Sequence, residues 1–537
     1  MHHLQTQSGT LSLDGKPMSF ASLARVGARA VSLAADDAAM ARVDVARKVV
    51  EDKIARGEAV YGANTGVGAM KDVEWSPEEL EMFNLGLVRA HHFGTGAPFP
   101  SSVVRSAMAI RVNTALTGRV GCSRGLVDAY LALLDKDVVP VVRRTGSIGT
   151  ADIGLMGQIG AVLTGVGEAV YQNRRMSAEA ALAEAGLKPC GMAPRDSLAS
   201  VSVNAVGFAA AAEAVRSAAT AMRMLLATSL TTAGALGASR DPWKAVAHVG
   251  TEREAEIGAW LYHNAMGWDW PNATHVQDPL SLRMMAQVFG SGFDTLLVAG
   301  RTVLAATGRT DDNPVVVDGQ VLTSGGSLPL DVTIYLQTAQ LALAHAARNS
   351  FNRCVLLSNG ARRDLPINLV PRGAIATGFG PIIKLAGELF ARALSIDRKS
   401  TRLNSSHANI SYGGGGGARS RGVVPAVGGG ALRAAGAGAE APRRTRGPAL
   451  CPGHGHPGGS AQRRAGHGLR QGAHPRGLLS GGPAALGRSR NHRKRPRLRT
   501  DHGGTDFPRA HPGTGRVFRT GAGRVACRGY DFCLAPV

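Results

Sequence analysis

The chain has 537 residues and a formal net charge of +22, from 61 Lys+Arg against 39 Asp+Glu. Such a balance ordinarily points to nucleic acid or an anionic membrane as partner. The charge is uneven, however: residues 397–537 hold 25 Lys+Arg and 5 Asp+Glu, which leaves residues 1–396 nearly neutral at 36 against 34. Six cysteines, with Cys122, Cys190 and Cys354 isolated and no CxxC pair, exclude a disulfide scaffold and a zinc or iron–sulfur site. The N-terminal MHHLQTQSGTLSLDG lacks the basic region and apolar run of a signal peptide. Apolar stretches are broken by Arg, Asp or Asn before membrane length, so a cytoplasmic protein that spans no membrane is expected.

The elements read as mostly helical. Asp36 and Asp37 precede a run in which Val43, Ala46, Val50 and Ile54 share one face, with Gly57 after it, so an N-cap, an apolar stripe and a stop agree. After Asp152, residues Ile153, Met156, Leu163, Val166 and Val170 keep a helical period, while Gly154, Gly157 and Gly160 leave room for a neighbouring backbone. Ala/Leu-rich helices follow at 203–230, 282–306 and 331–347, long enough to form a bundle. Strand patterns are scarce apart from a hairpin over 315–322, turning at Asp318-Gly319. The glycine-rich YGANTGVGAM and GSIGTADIG follow no buried strand of a βαβ unit and end in no Lys-Ser/Thr, which excludes a nucleotide loop.

From Asp397 the composition changes abruptly. DRKSTRLNSSH (397–407) resembles one reading frame of a widely used sequencing-adapter oligonucleotide, and the run Gly413–Gly417 and Arg/Gly/Ala/Pro-rich text come after it. Apolar periodicity is too sparse there to offset the entropy of ordering. The natural reading is expected to end near Ile396, with the remainder disordered. NHRKRPRLR (491–499) would suit an RNA-binding arm, a reading that falls with the artefact.

Seven separated blocks, in order, resemble the aromatic amino acid lyases: VYGANTGVG (60–68), NLGLVRAHHFGTG (84–96), GSIGTADIG (146–154), RDSLAS (195–200), VQDPLSLR (276–283), DDNPVV (311–316) and SGGSLP (324–329). The likeness continues through LPINLVPRGAIATGFG (365–380) to about Ser395. It implies an all-α, long-helix bundle of the fumarase/aspartase-like type with a small mixed N-terminal region. The expected division is 1–202 with the catalytic loop and substrate-site segments, 203–396 as the central bundle, and 397–537 as the tail. It also implies a homotetramer whose sites take residues from several subunits, a small amino acid or betaine substrate, and no nucleic-acid partner.

The resemblance assigns roles residue by residue. Tyr61 matches the catalytic tyrosine, Arg283 the arginine that binds the substrate carboxylate, and His91 the substrate-contacting position of the histidine-specific members. Asn64, Gln277 and Asn313 fall in matching blocks as polar liners. The family's electrophile, a methylidene-imidazolone, forms from an internal Ala-Ser-Gly triad. At that place this chain has Thr150, Ala151 and Asp152, one residue short and with no central hydroxyl to lose. Ser147 lies nearby, but Ile148 stands where cyclisation needs glycine. The tyrosine of the family's QDPYSLR block is Leu280, its asparagine after the leucine-alanine segment falls at Ser202, and its SGGNFHG block reads SGGSLPL. No cofactor is therefore expected and the prosthetic group is expected not to form.

Three functions follow. The first is β-elimination of an amine from an aromatic or imidazole-bearing amino acid to give an aryl acrylate, as in histidine ammonia-lyase. Its sharper version releases trimethylamine from a histidine betaine, as ergothionase does, because a quaternary ammonium needs no covalent activation. The alternative is a non-catalytic homologue that binds or assembles.

Overall fold

The computed structural model describes residues 9–394, apart from 271, 272, 274 and 361; the expected tail lies outside the described residues. Asp36 caps the first long helix, its carboxylate accepting from the Ala39 amide at 2.9 Å, and Asp37–Ala55 buries Val43, Ala46 and Val50 as their spacing predicts. Gly57, at φ +74°, takes the chain out of the helix. Ahead of it, the strands Thr10–Leu13 and Ser32–Ala35 pair in parallel across the short helix Phe20–Gly27.

The architecture is an all-α bundle of long helices with small mixed sheets around its N-terminal part. Ser101–Ala115 is buried from Val103 to Ala115, on every face, and its buried polar side chains, Arg105, Ser106, Arg111, Asn113 and Thr114, each find a hydrogen-bond partner. The 31-residue helix Ala205–Ala235 runs through two cores. Its first turns (Ala205 to Ala212) pack with Met108, Ile110, Met156 and Ile159, and its later turns (Val215 to Ala233) pack with Trp243, Phe289 and Phe293. Met285–Ala306 and Leu330–Asn359 lie against it and against each other. Thr251 and Glu254 form a capping box that starts Glu252–Met266, which folds back on Asp241–Val249.

Some elements depart from the reading above. The helix after Asp152 spans only Ile153–Leu163; Gly165 at φ +82° and Gly167 at φ +94° end it, and Val170 belongs to the strand Glu168–Tyr171. That strand sits in a three-stranded antiparallel sheet, between Val139–Pro140 and Arg174–Ser177. A further pair, Thr95–Pro98 with Arg143–Thr145, was also invisible to alternation, since these strands are two to four residues long. The hairpin is as expected: Val315–Val317 pairs with Gln320–Leu322 through Asp318 (φ +49°) and Gly319 (φ +72°), a turn of the primed type that suits strand twist.

The expectation that every apolar stretch breaks before membrane length needs correction. Asp196–Ala235 and Met285–Ala306 are long and apolar enough, by length and composition, to cross a membrane. Their most apolar windows are 78 % and 44 % buried inside the protein, so the core accounts for most of the first and much of the second.

Candidate active site

Four chain segments meet around Ala151. The Ala151 amide donates to the Ser327 carbonyl at 2.8 Å, and the Ala151 carbonyl accepts from the Val203 amide at 3.0 Å. Asn204 Nδ2 donates to the same Ser327 carbonyl (2.8 Å) and to Asp311 Oδ2 (2.6 Å), which also accepts from the Asn204 backbone amide. The Tyr61 loop packs on residues that follow or precede two of these blocks in the chain: Val60 and Ala63 cluster with Val316, and Gly62 lies so close to Leu198 that a Cβ there would collide with it. The blocks around 150, 202, 311 and 324 are thereby drawn to one place from distant positions in the chain.

Ala151 and Asp152 are both left-handed, at φ +59° and +44°, which is costly for two consecutive non-glycine residues and is held by the surrounding hydrogen bonds. Asp152 ends up buried at the start of the long helix. Its Oδ2 accepts from the Gly207 amide at 2.5 Å and its Oδ1 from the Ser147 hydroxyl at 3.0 Å. Burial pushes its carboxyl up to about 6 against the opposing pull of those two donors. Asp311 is likewise pushed up to about 6, first by burial and then by the neighbouring Asp312 charge. Asp312, fully buried, is paired with two guanidiniums: Arg111 Nη1 at 2.9 Å and Arg195 Nη2 at 3.0 Å. Arg195 also donates to the Val120 and Pro314 carbonyls, so this network locks the floor of the site.

Tyr61 is half-buried, and its phenol oxygen accepts from the Gly68 amide at 3.1 Å. Asn64 uses its amide within the loop, accepting from the Val60 amide at 2.6 Å and donating to the Glu58 carbonyl at 3.0 Å. Asn313 accepts from the Ser324 amide at 2.8 Å and so ties the hairpin block to the 324–327 segment. His91 closes the helix Pro77–Ala90, and its Nδ1 donates to the Leu87 carbonyl at 2.7 Å, leaving Nε2 as the free ring nitrogen. The His91 carbonyl packs against Gly157, which sets the His91 backbone beside the helix that starts at Ile153.

Gln277 and Arg283 lie elsewhere. Arg283 ends the short helix Leu280–Arg283, its Nε buried without a hydrogen-bond partner, while Gln277 is exposed. Ser281 of this helix accepts from Arg353, which also donates to Ser229. Ser229 and the Gly207 that binds Asp152 belong to the same helix, roughly 33 Å apart at 1.5 Å per residue. One chain therefore carries Tyr61, His91, Asn64, Asn313 and Thr150–Asp152 towards one end of its long helix, and Gln277 and Arg283 towards the other.

The segment does not fit a methylidene-imidazolone. Ala151 offers a methyl in place of a dehydratable hydroxyl, and both its amide N–H and its carbonyl are held in the backbone hydrogen bonds described above. Among the described residues no group of three or more His, Cys, Asp or Glu could hold a metal ion. Sequence reasoning missed Asn204, Asp311, Asp312, Arg111 and Arg195. Consecutive charges in DDNP and RDS, set beside apolar runs, were the available signal, but their partners are far away in the chain.

A model of the family described as aromatic amino acid lyase matches residues 18–395 and ends at the junction noted in the sequence. The histidine ammonia-lyase of Burkholderia ambifaria is 30 % identical over 387 residues, covering 70 % of this chain and 75 % of that protein. That of Pseudoalteromonas atlantica is 29 % identical over 368 residues, covering 67 % and 71 %. Among solved structures, the ergothioneine-degrading enzyme ergothionase of Treponema denticola superimposes with a TM-score of 0.69 at 27 % identity, covering 72 % of this chain and 80 % of that one. The histidine ammonia-lyase of Trypanosoma cruzi shares the fold, with a TM-score of 0.65 at 24 % identity over 72 % of this chain and 74 % of that one. The chain belongs to the aromatic amino acid lyases and is a carbon–nitrogen lyase of that family.

Proposed function

We propose that this chain eliminates a tertiary amine from the α-trimethylammonium derivative of an imidazole-bearing amino acid, giving an aryl acrylate without a protein-derived electrophile. The observation that carries this reading is Thr150-Ala151-Asp152, where nothing can lose water to make the methylene. A primary amine is a poor leaving group and needs activation. A quaternary ammonium departs as a neutral amine once the β-proton is taken. The likeness to ergothionase, whose structure holds desmethyl-ergothioneine sulfonic acid, supports the same substrate class.

In this reading Tyr61, whose phenol oxygen is positioned by the Gly68 N–H, removes the proton from the β carbon. The electron pair forms the carbon–carbon double bond, and the α carbon–nitrogen bond breaks with its pair on nitrogen. Arg283 holds the substrate carboxylate; its unpartnered Nε is consistent with a group kept for a ligand or another chain. His91 presents Nε2 to the imidazole ring. Because Tyr61 and Arg283 lie at opposite ends of the long helix, a working site takes them from different chains, which supports a homotetramer with shared sites. The Asp152–Asp312 network serves as scaffold.

The test is direct. The full chain is incubated with histidine and with N,N,N-trimethylhistidine, following the ultraviolet absorbance of the acrylate and the amine released. Trimethylamine and urocanate from the betaine are expected. Faster turnover of histidine, or an intact mass two waters below the translated sequence, would overturn the reading.

A further inference from the structure

We infer that Phe93 is the wall against which the substrate's quaternary ammonium rests, a deepening that relies on the tertiary-amine reading above. Phe93 follows the helix Pro77–Ala90, and one edge of its ring lies on the turn that leads into the catalytic segment. A Cβ added to Gly154 would stand 2.5 Å from Phe93 Cε2 and 2.8 Å from Cζ, and one on Gly146 would stand 3.7 Å from Cδ2. Glycine at 154 lets the ring lie on the backbone just after Thr150–Asp152, and at 146 the ring is at ordinary contact distance.

The rest of the ring is open. Phe93 is 52 % exposed, whereas Ala151 and Asp152 are buried. The His91 ring stands 6.2 Å from the Phe93 ring, tilted by 46°, so the two rings form a corner rather than a stack.

The chemistry of the wall distinguishes the two kinds of ammonium. A primary ammonium carries three N–H donors and requires acceptors. Here both Asp152 oxygens are engaged by Ser147 and Gly207, the Ala151 carbonyl by Val203, and the Ser327 carbonyl by Ala151 and Asn204, while Asp311 Oδ1, which has no partner, is buried without exposed surface to offer a ligand. A trimethylammonium has no N–H to satisfy. It presents methyl groups carrying spread positive charge, which aromatic faces attract and aliphatic side chains accommodate.

The experiment measures equilibrium binding of N,N,N-trimethylhistidine, and of its uncharged isostere with tert-butyl in place of trimethylammonium, to the full chain by calorimetry. The wild type is expected to favour the cation by about tenfold, the size of a desolvated cation–π contact. Phe93→Leu is expected to lose that preference and Phe93→Trp to keep or enlarge it. A Phe93→Leu protein that folds and retains the preference overturns the inference, as does a wild type with none. If Phe93→Leu does not fold, Phe93→Trp decides: a preference smaller than wild type overturns it. Turnover of the betaine is followed in parallel. Turnover with a Phe93-independent preference removes this inference alone, while a Phe93-dependent preference without turnover removes only the lyase reading.

Discussion

Asp152 holds its ionised carboxylate with one amide and one hydroxyl and no cation, which is why burial dominates its titration. Its ordinary value of 3.8 rises to about 6 in the folded chain, so the folded state binds the proton more tightly than the unfolded state does. Stability from this group is present at low pH and is lost as pH climbs from about 4 through about 6, by on the order of 3 kcal/mol. Asp152→Asn is expected to flatten that part of the pH dependence, read from urea midpoints between pH 4 and pH 7, and an unchanged slope would count against it. Asp312 behaves differently, because two guanidiniums lose their counter-charge together if it is removed. Asp312→Ala is expected to cost about 3–5 kcal/mol in chemical denaturation. Tyr61→Phe should instead leave stability within about 0.5 kcal/mol, the phenol being half-buried with one hydrogen bond, while turnover falls by about a hundredfold or more. None of these contrasts is legible at the residue itself: Asp152, Asp311 and Asp312 look alike in sequence, and distant partners separate them.

At the scale of elements, the helix Ile153–Leu163 shows what spacing can and cannot predict. Its three glycines were legible as a smooth face, and the structure uses them so: Gly154 lies against Phe93 and the Gly146 carbonyl, Gly157 against the His91 carbonyl, Gly160 against Ser200 and Val88. Their tolerance differs. A methyl on Gly157 would collide with backbone that cannot rotate away, whereas one on Gly160 meets Ser200 Oγ at 3.0 Å and Val88 Cγ1 at 3.2 Å, both movable side chains. Gly157→Ala is expected to lower stability by about 1–3 kcal/mol and Gly160→Ala by clearly less, measured by thermal unfolding. The end of this helix was not legible, since Val166 and Val170 continue the apolar rhythm after Gly165 has turned the chain. Periodicity reports burial, and both a helix and a strand bury those valines' neighbours.

Across the whole molecule, the straight run of Ala205–Ala235 separates the Tyr61 end from the Arg283 end by more than an individual substrate can bridge. Sharing of sites between chains then has a clear signature. Tyr61→Phe and Arg283→Ala variants, each inactive alone, are expected to regain about a quarter of wild-type activity when co-assembled from denatured mixtures, because random mixing rebuilds some sites with both groups intact. No recovery, with mixed oligomers shown to form, would place both residues in one chain's site. By itself the sequence determined the helical class, the capped helix after Asp36, the Asp318-Gly319 hairpin and the loss of a central hydroxyl at Ala151, since each is a property of a few neighbouring residues. Only the tertiary structure decided that Ser327, Val203 and Asn204 grip the Ala151 segment, that Asp312 answers two arginines, and that Arg283 lies far from Tyr61. Those depend on where long helices carry their ends, and burial, which sets both the packing and the titration there, exists only once the chain has folded.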